Sequence, residues 1–341
     1  MADYPVENND FDSKIEPLRE LPLTVDDSRF ASDELIACES CKRSNPPTRT
    51  SCLYCGASFK AVEVRTDVAK INYQRPESWE EGYSLIYTGE NEIGNDIMMS
   101  AASLLRLDTD VVDNTISLGV PVPLICLRSL PDADLLAARL SQIGFECALV
   151  GDDLLQPQVL PTRIRSMNLK NETIDLEDFN SSKVTSVQSE EPVLLVAGSL
   201  VKTATETSGK ISKRNFKTND EALSVSDEPV LDIYPANDVY GFRIRSSGFD
   251  FSCLGERMKP FAGENMTCLV SELRTRFKSA RFVDAFNTVA PFIGPVWAVD
   301  EIRQSSDVTR GPLGGVHKRS VTVLDNTSQF TKFSRLMRHL L

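Results

Sequence analysis

The sequence predicts a multi-domain α+β protein with a small cysteine-rich unit near the N-terminus, a central β-α-β unit, a β-rich segment and a C-terminal α/β region. Three observations lead to this fold class. Four cysteines cluster between residues 38 and 55, a strand-helix-strand pattern runs over 122–150, and alternating apolar segments fill 161–201. A chain of 341 residues also exceeds what one hydrophobic core usually fills, so several compact units are expected.

The first 34 residues are strongly acidic and lack apolar periodicity. They hold ten Asp or Glu residues against Lys14, Arg19 and Arg29, in a chain whose net charge is −12. Such a segment cannot bury enough apolar surface to offset the entropy lost on ordering. We therefore predict a disordered acidic tail over 1–34 that acts as a solubilising leader, with an acidic docking motif as the alternative.

The N-terminus has neither the basic stretch nor the apolar stretch of a signal peptide. The longest apolar runs, 118–127 and 193–201, are about half as long as a transmembrane helix requires. The cysteines outside the cluster lie among apolar neighbours, as buried thiols usually do: Cys126, Cys147, Cys253 and Cys268. We expect a cytoplasmic protein with neither a transmembrane segment nor a disulfide framework.

The most specific motif is a pair of Cys-x2-Cys sequences separated by ten residues, formed by Cys38, Cys41, Cys52 and Cys55. Zinc prefers four tetrahedral ligands, and a single tight turn can present two thiolates spaced in this way. Two such turns facing each other close the site. We therefore predict one structural Zn²⁺ with no open position for a catalytic water. A pair of redox motifs is the alternative, although the surrounding sequence does not predict a thioredoxin-like helix.

Residues 38–56 resemble the short zinc ribbons found at the ends of bacterial proteins. In that pattern Asn-Pro stands between the cysteine pairs and Gly follows the second pair, and Asn45, Pro46 and Gly56 occupy these places. Proline gives the intervening turn a fixed backbone angle, and glycine permits a left-handed one. The resemblance implies a structural and interaction module over 35–64.

RanBP2-type fingers are a weaker match that shares the position of Asn45. Those fingers carry Trp where this chain has Ile36, and their ubiquitin-binding members carry Thr-Phe where it has Lys42 and Arg43. Nucleic-acid binding by the ribbon is a further alternative, supported by local basic residues and opposed by the acidic net charge and a pI of 4.9. The local basic residues are Lys42, Arg43, Arg49 and Lys60.

Residues 83–160 are predicted to form a helical pair followed by a β-α-β unit. The patterns run as helix, helix, strand, helix and strand over 97–107, 111–118, 122–127, 131–143 and 145–150. Asp132 is predicted to cap the third helix and Gly144 to end it. The β-α-β unit resembles small ferredoxin-like or ACT-like modules in shape, and this resemblance assigns no function to any residue.

Residues 161–300 are predicted to form a β-rich and α/β domain. Strands are expected over 163–169, 173–176, 184–187, 193–201, 230–234 and 240–245, with helices over 265–277 and 282–292. Between them, the polar segment at about 202–228 is predicted to be a mobile, disordered loop. The alternative is a basic arm for the acidic tail or a partner, since the segment contains Lys210, Lys213, Arg214 and Lys217.

The C-terminal part is predicted to be a linker over 301–328 and an amphipathic helix over 329–341. Apolar residues recur there at three- and four-residue steps beside a basic polar face: Phe330, Phe333, Leu336, Met337 and Leu340. We expect these five residues to bind a partner protein. The alternatives are packing on the helix's own domain and peripheral contact with an anionic membrane.

The sequence contains no catalytic signature on which an enzyme could be predicted. Its only histidines are His317 and His339, and no Gly-x-Ser-x-Gly, Walker or His-Glu-x-x-His motif is present. We therefore predict no catalytic residues and a non-enzymatic zinc-binding adaptor or regulatory subunit of a protein complex. A nucleic-acid-binding regulator that uses the ribbon and an enzyme of unknown class are the alternatives.

Overall fold

The computed structural model describes residues 35–46, 51–57, 70–77, 80–88, 93–211, 216–310 and 316–340. The chain divides into two compact units, Met1–Ala69 and Lys70–Leu341. The architecture is mixed α+β, as predicted. The predicted tail over 1–34 and the end of the predicted ribbon over 58–64 lie outside the described residues. Within the described ranges, no helix is both long and apolar enough to span a membrane.

The first unit contains a short antiparallel hairpin. Strands β1 (Ile36–Ala37) and β2 (Ser44–Asn45) pair with Ile36 opposite Asn45 and Ala37 opposite Ser44. The turn between these strands carries the first pair of cysteines, and a second turn at 53–55 carries the other pair.

The second unit begins with a three-stranded antiparallel sheet and three helices. In chain order these are β3 (Tyr83–Tyr87), α1 (Asn95–Leu105), α2 (Thr109–Ile116), β4 (Val122–Leu127), α3 (Leu130–Gln142) and β5 (Cys147–Gly151). The strand order is β4-β3-β5, so β3 lies between the two strands of the predicted β-α-β unit. Ser129 rather than Asp132 caps α3, because its Oγ accepts a hydrogen bond from the Asp132 amide at 3.4 Å.

A nine-stranded sheet forms most of the remaining fold. Its elements and the flanking helices are α4 (Asp152–Leu155), β6 (Thr162–Leu169), β7 (Thr173–Asp178), β8 (Val184–Gln188), β9 (Val193–Ile211), β10 (Phe216–Pro235), β11 (Phe242–Arg245), a 3-10 helix (Phe251–Arg257), α5 (Ala262–Arg276), β12 (Arg281–Val283), α6 (Phe286–Ile293), β13 (Asp300–Arg310), β14 (Val316–Asp325) and α7 (Thr327–Leu340). The strand order is β13-β14-β9-β10-β11-β6-β7-β8, and β12 pairs in parallel with the start of β9.

The first part of β9 separates two apolar clusters. Val193 and Leu195 belong to a cluster that includes residues of α5, whereas Leu194 and Val196 belong to one that includes residues of α6, α7 and the three-stranded sheet. Successive residues of a strand face opposite sides, so this part of β9 is buried on both faces. A nearly continuous apolar run is the expected result, and the sequence shows one at 193–197.

The polar segment at 202–228 is not a loop. Its described residues form the outer halves of β9 and β10, which pair continuously from Ile211 opposite Phe216 to Val193 opposite Pro235, with one irregularity near Thr218. The predicted linker over 301–328 likewise contains β13, β14 and the start of α7. Both predictions were wrong because polar composition does not exclude strands: β9 pairs with the next strand β10, β13 pairs with β14, and β9 also pairs with β14, which lies more than a hundred positions later in the sequence.

The C-terminal helix is present, but its apolar face is buried in its own domain. Phe330, Phe333, Leu336 and Met337 are each 0% exposed, and Leu340 packs against the same cluster. The Phe330 ring meets the Phe286 ring of α6 at 4.9 Å between centroids. The predicted docking face is therefore corrected to a core face, because the apolar sides of α6 and β9 cover it.

Candidate metal centre

The structure brings the four predicted cysteines of the ribbon together. The Sγ atoms of Cys38, Cys41, Cys52 and Cys55 all lie within 4.8 Å of one another. Two of the Sγ–Sγ distances are shorter, at 3.6 Å between Cys38 and Cys55 and 3.5 Å between Cys41 and Cys52. Four sulfurs bound tetrahedrally at about 2.3 Å from a zinc ion would stand about 3.8 Å apart. The cluster therefore fits a tetrathiolate metal site.

The two cysteine pairs are presented by turns with the same hydrogen-bond pattern. In the first turn the Lys42 amide donates to the Cys38 carbonyl at 2.8 Å, and in the second the Gly56 amide donates to the Cys52 carbonyl at 3.0 Å. Lys42 and Gly56 both have left-handed backbones, with φ of 59° and 73°. A glycine adopts this angle without strain, so Gly56 suits its position better than Lys42 does.

Each turn is closed by a second bond at its base. The Cys38 amide donates to the Arg43 carbonyl at 2.9 Å, and the Cys52 amide donates to the Ala57 carbonyl at 2.8 Å. Because both turns are closed by these paired bonds, the backbone holds each cysteine pair in a similar geometry.

The side chain of Asn45 joins the two turns. It is fully buried, its Nδ2 donates to the Arg43 carbonyl at 2.8 Å, and its Oδ1 accepts from the Leu53 amide at 2.8 Å. A buried amide with both ends bonded fixes the distance between the groups that it links. The sequence predicts Asn45 to lie in a rigid turn, and the structure gives its side chain this second role.

The cysteines differ in how readily they ionise. Burial opposes ionisation of Cys52, but hydrogen bonds from the backbone amides of Tyr54 and Cys55 outweigh it and lower the pKa of the thiol to about 6. At Cys41 the backbone at Arg43 favours the thiolate, but burial and the surrounding cysteine sulfurs prevail and raise the pKa to about 11. Crowded thiols ionise together only when a cation neutralises them, which is the condition that a metal ion supplies.

The second turn exposes two large side chains, Leu53 and Tyr54, which were not predicted as site residues from the sequence. Leu53 is 51% exposed and Tyr54 is 56% exposed, and both lie between Cys52 and Cys55. The Arg43 guanidinium lies 4.8 Å from the centre of the Tyr54 ring. The sequence signal that points to Leu53 and Tyr54 is their position inside the second Cys-x2-Cys motif.

Of the four cysteines of the second unit, Cys126 is buried, whereas Cys147, Cys253 and Cys268 are half-buried, so the expectation of buried thiols holds in full only for Cys126. Cys126 is 5% exposed, and burial raises the pKa of its thiol. Burial also raises the pKa of Cys147 to about 12. Cys126 lies opposite Ser84 of β3 and Cys147 lies opposite Tyr87, so β3 stands between the two cysteines. Neither thiol is activated as a nucleophile, because nucleophilic cysteines need a lowered pKa.

A groove of about 430 Å³ runs between α5 and the neighbouring strands β9 and β12. Met266, Val270 and Phe282 form apolar parts of its wall, and Arg274 and Asp284 are its charged groups. The Arg274 guanidinium stacks 4.6 Å from the centre of the Phe282 ring. The residues that line the groove include neither cysteine nor histidine, so we place the candidate site at the ribbon.

Comparison with known proteins identifies no relative of this chain. No family model matches it, and neither the curated proteins nor the solved structures contain a significant match.

Proposed function

We propose that the ribbon binds one structural Zn²⁺ and presents Leu53 and Tyr54 to a protein partner, which makes the chain a non-enzymatic zinc-binding adaptor or regulatory subunit. This proposal is supported chiefly by the exposure of both side chains, 51% and 56%, on a turn flanked by Cys52 and Cys55 of the four-cysteine cluster. The metal would fix the backbone of the turn, so the exposed residues would be held ready for binding.

Zinc is the metal that the ligand set favours. Four thiolates in a tetrahedral arrangement suit Zn²⁺ or iron–sulfur chemistry, and structural zinc sites are commonly of this four-cysteine type. All four positions would be filled by protein, so the metal would stabilise the ribbon and would not activate water. Binding would release the protons of the thiols, and the raised pKa of Cys41 makes that release most costly at low pH.

The exposed surface has the composition of an interaction site. Tyrosine offers a large contact area at a small entropic cost and is enriched among residues that dominate binding energy. Arg43 stacks on Tyr54 and restricts its ring. With Lys42 beside them, these residues suit a partner that offers an apolar depression bordered by acidic groups.

The test is a double substitution, Leu53→Ser with Tyr54→Ser, in the full chain. A matched control is Met258→Ser with Phe261→Ser in the second unit, where the side chains are 55% and 70% exposed. Cross-linking in the native cell followed by mass spectrometry should show a partner cross-linked to the ribbon in wild type and in the control. The proposal predicts loss of that cross-link in the ribbon variant at unchanged zinc content. Equal cross-linking in all three proteins would contradict it.

Nucleic-acid binding by the ribbon is tested with the same proteins. Phosphate contacts make affinity fall steeply with salt, so titrations with single- and double-stranded oligonucleotides at several salt concentrations identify them. The adaptor proposal predicts no difference between wild type and Lys42→Ala/Arg43→Ala in these titrations. A salt-dependent affinity that this variant loses would replace the adaptor proposal with the nucleic-acid alternative.

A further inference from the structure

Helix α5 has a core face and a second face that lines the groove of about 430 Å³ beside β9 and β12. On the core face, Leu269 and Leu273 are fully buried. The second face follows three- and four-residue steps, as residues on one side of a helix do. Its members are exposed or half-buried, so this face of α5 is accessible to a ligand: Gly263, Thr267, Val270, Ser271 and Arg274.

The groove is held in shape by contacts on both sides. Residues 197–199 of β9 and 229–230 of β10 lie across it from α5. The helix approaches these strands closely at Gly263, where a Cβ atom would stand 4.0 Å from the Pro229 ring. On the other side, the Oδ1 atom of Asn287 accepts a hydrogen bond from the Ser199 amide at 2.9 Å. The groove is therefore formed before any ligand binds.

Two opposite charges line the groove without pairing. Arg274 and Asp284 both belong to its lining, and within the described residues neither forms a hydrogen bond or an ion pair. By contrast, Arg276 of the same helix donates to Glu272 at 2.6 Å. A guanidinium carries five N–H donors and a carboxylate is a strong acceptor. Both groups can therefore accept a ligand without first breaking a bond within the described part of the chain.

The two charges are close enough for one small molecule to reach both. The Arg274 guanidinium stacks 4.6 Å from the centre of the Phe282 ring, which restricts its position. Asp284 follows Phe282 by two residues, and two residues of fully extended chain span at most about 7 Å. The carboxylate thus lies near the stacked guanidinium but does not pair with it. A molecule placed between them can bond to both groups.

Much of the remaining lining is apolar. Met266, Val270 and Phe282 supply apolar walls, and Thr267 and Ser271 add hydroxyl groups. Small-molecule sites are typically clefts of about 300–1,000 Å³ with apolar walls and a few polar groups that fix the orientation of the ligand. The groove has this composition, and its volume lies near the lower end of that range. These features point to a small ligand with an apolar part and two opposite charges.

We propose that the groove binds an α-amino acid with an apolar side chain, with its carboxylate on Arg274 and its ammonium group on Asp284. The side chain of the ligand packs against Met266, Val270 and Phe282. A guanidinium can hold a carboxylate by two parallel hydrogen bonds. A ligand with a single charge would leave one charged group of the groove without a partner, so a zwitterion fits better. This site involves the second unit alone and does not depend on the metal site of the ribbon.

The test is isothermal titration calorimetry of the full chain with L-leucine and two blocked analogues. N-acetyl-L-leucine lacks the ammonium group, and L-leucinamide lacks the carboxylate. Wild type should bind leucine on the order of 10- to 100-fold more tightly than either analogue, because each analogue loses a hydrogen bond between charged groups.

Two variants assign the two charges of the ligand to their partners. Arg274→Gln should weaken leucine binding and remove the preference for leucine over leucinamide, and Asp284→Asn should remove the preference over N-acetyl-leucine. The controls are Arg106→Gln, which changes another exposed arginine stacked on an aromatic ring, and Asp134→Asn, which changes another exposed aspartate. Both controls should bind all three ligands as wild type does. A purely structural role would instead weaken all three ligands equally.

A third variant, Ser271→Trp, fills the groove from an exposed position of α5 and should abolish binding. Thermal unfolding of all variants should match wild type, because the substituted side chains are exposed. The proposal is overturned if leucine does not bind, if the blocked analogues bind as tightly as leucine, or if the controls lose as much affinity as the groove variants. Unchanged binding to Ser271→Trp would place leucine elsewhere and would also overturn it. If N-acetyl-leucine matches leucine and Arg274→Gln loses both, the groove takes an apolar carboxylic acid instead.

Discussion

The ribbon and the second unit are held together by different forces. Among the described residues 35–46 and 51–57 of the ribbon, the buried ones are Cys38, Asn45 and Cys52, so these residues bury little apolar surface. The second unit buries two large apolar clusters on either face of β9. Small units without a sufficient core usually need a metal or a disulfide. The ribbon is therefore expected to depend on its metal, whereas the second unit is expected to fold without one.

Removing the metal should produce the largest effect and confine it to the ribbon. Chelation, or the substitution Cys38→Ser, should unfold residues 35–57 because the binding free energy of a structural zinc is itself folding free energy. Limited proteolysis and NMR should show loss of order in the ribbon, with the thermal transition of the second unit unchanged. Acidification should act in the same direction, because protonated thiols release the metal. If metal removal unfolded both units together, the two units would not differ in their dependence on the metal.

Breaking the buried ion pair of the second unit should give the next largest effect. Asp232 and Arg243 are 0% and 5% exposed in their side chains and form two hydrogen bonds, at 2.7 and 2.8 Å. Asp232→Ala leaves the guanidinium buried without its partner, so the free energy of unfolding should fall by about 3 to 5 kcal/mol. Urea denaturation measures this loss.

The control for this change is an exposed ion pair in the same unit. Lys278 and Glu190 lie 2.7 Å apart with side chains 72% and 73% exposed. Glu190→Ala should cost no more than about 1 kcal/mol. Equal losses of unfolding free energy from Asp232→Ala and Glu190→Ala would show that burial does not govern the contribution of ion pairs in this unit.

Removing the amide that joins the two turns should have a smaller, local effect. Asn45→Ala deprives the Leu53 amide of its acceptor and the Arg43 carbonyl of its donor, which should destabilise the metal-bound ribbon by about 1 kcal/mol. Competition with a zinc-binding dye should show a correspondingly weaker metal affinity. The second unit should unfold as in wild type, and an unchanged affinity would mean that the turns do not depend on Asn45.

The smallest effect should come from the outer half of β10. Leu223→Ala changes a side chain that is 67% exposed, so the free energy of unfolding should change by no more than about 0.5 kcal/mol. Leu231, on the same strand, is fully buried, and Leu231→Ala should cost about 2 to 5 kcal/mol. A large loss of stability in Leu223→Ala would show that another part of the chain covers this half of the strand.

Local patterns made some of this structure predictable from the sequence. The cysteine spacing determines a ligand set within one short segment, and the helical periodicity at 265–277 lies over α5 (Ala262–Arg276). The β-α-β pattern at 122–150 was visible for the same reason. The position of β3 between the two strands of this unit was not visible in the sequence, because strand order depends on contacts between residues distant in sequence.

The long polar strands and the C-terminal helix show where local patterns are insufficient. The polar composition of 202–228 was visible in the sequence, but the pairing of β9 with β14, which begins at Val316, was not. The apolar face of α7 was also visible, but its partner is formed by α6 and β9 of the same chain. Amphipathicity predicts that a face is covered and does not identify what covers it.

The metal content of the purified full chain tests the central claim most directly. Protein purified without oxygen should contain one zinc per chain, and X-ray absorption should show four sulfur ligands at about 2.3 Å. Cys38→Ser should lose this metal, while Cys126→Ser, which changes a buried thiol of the second unit, should retain it. Less than about half an equivalent of zinc in the wild-type protein, or a ligand shell with fewer than four sulfurs, would contradict the account.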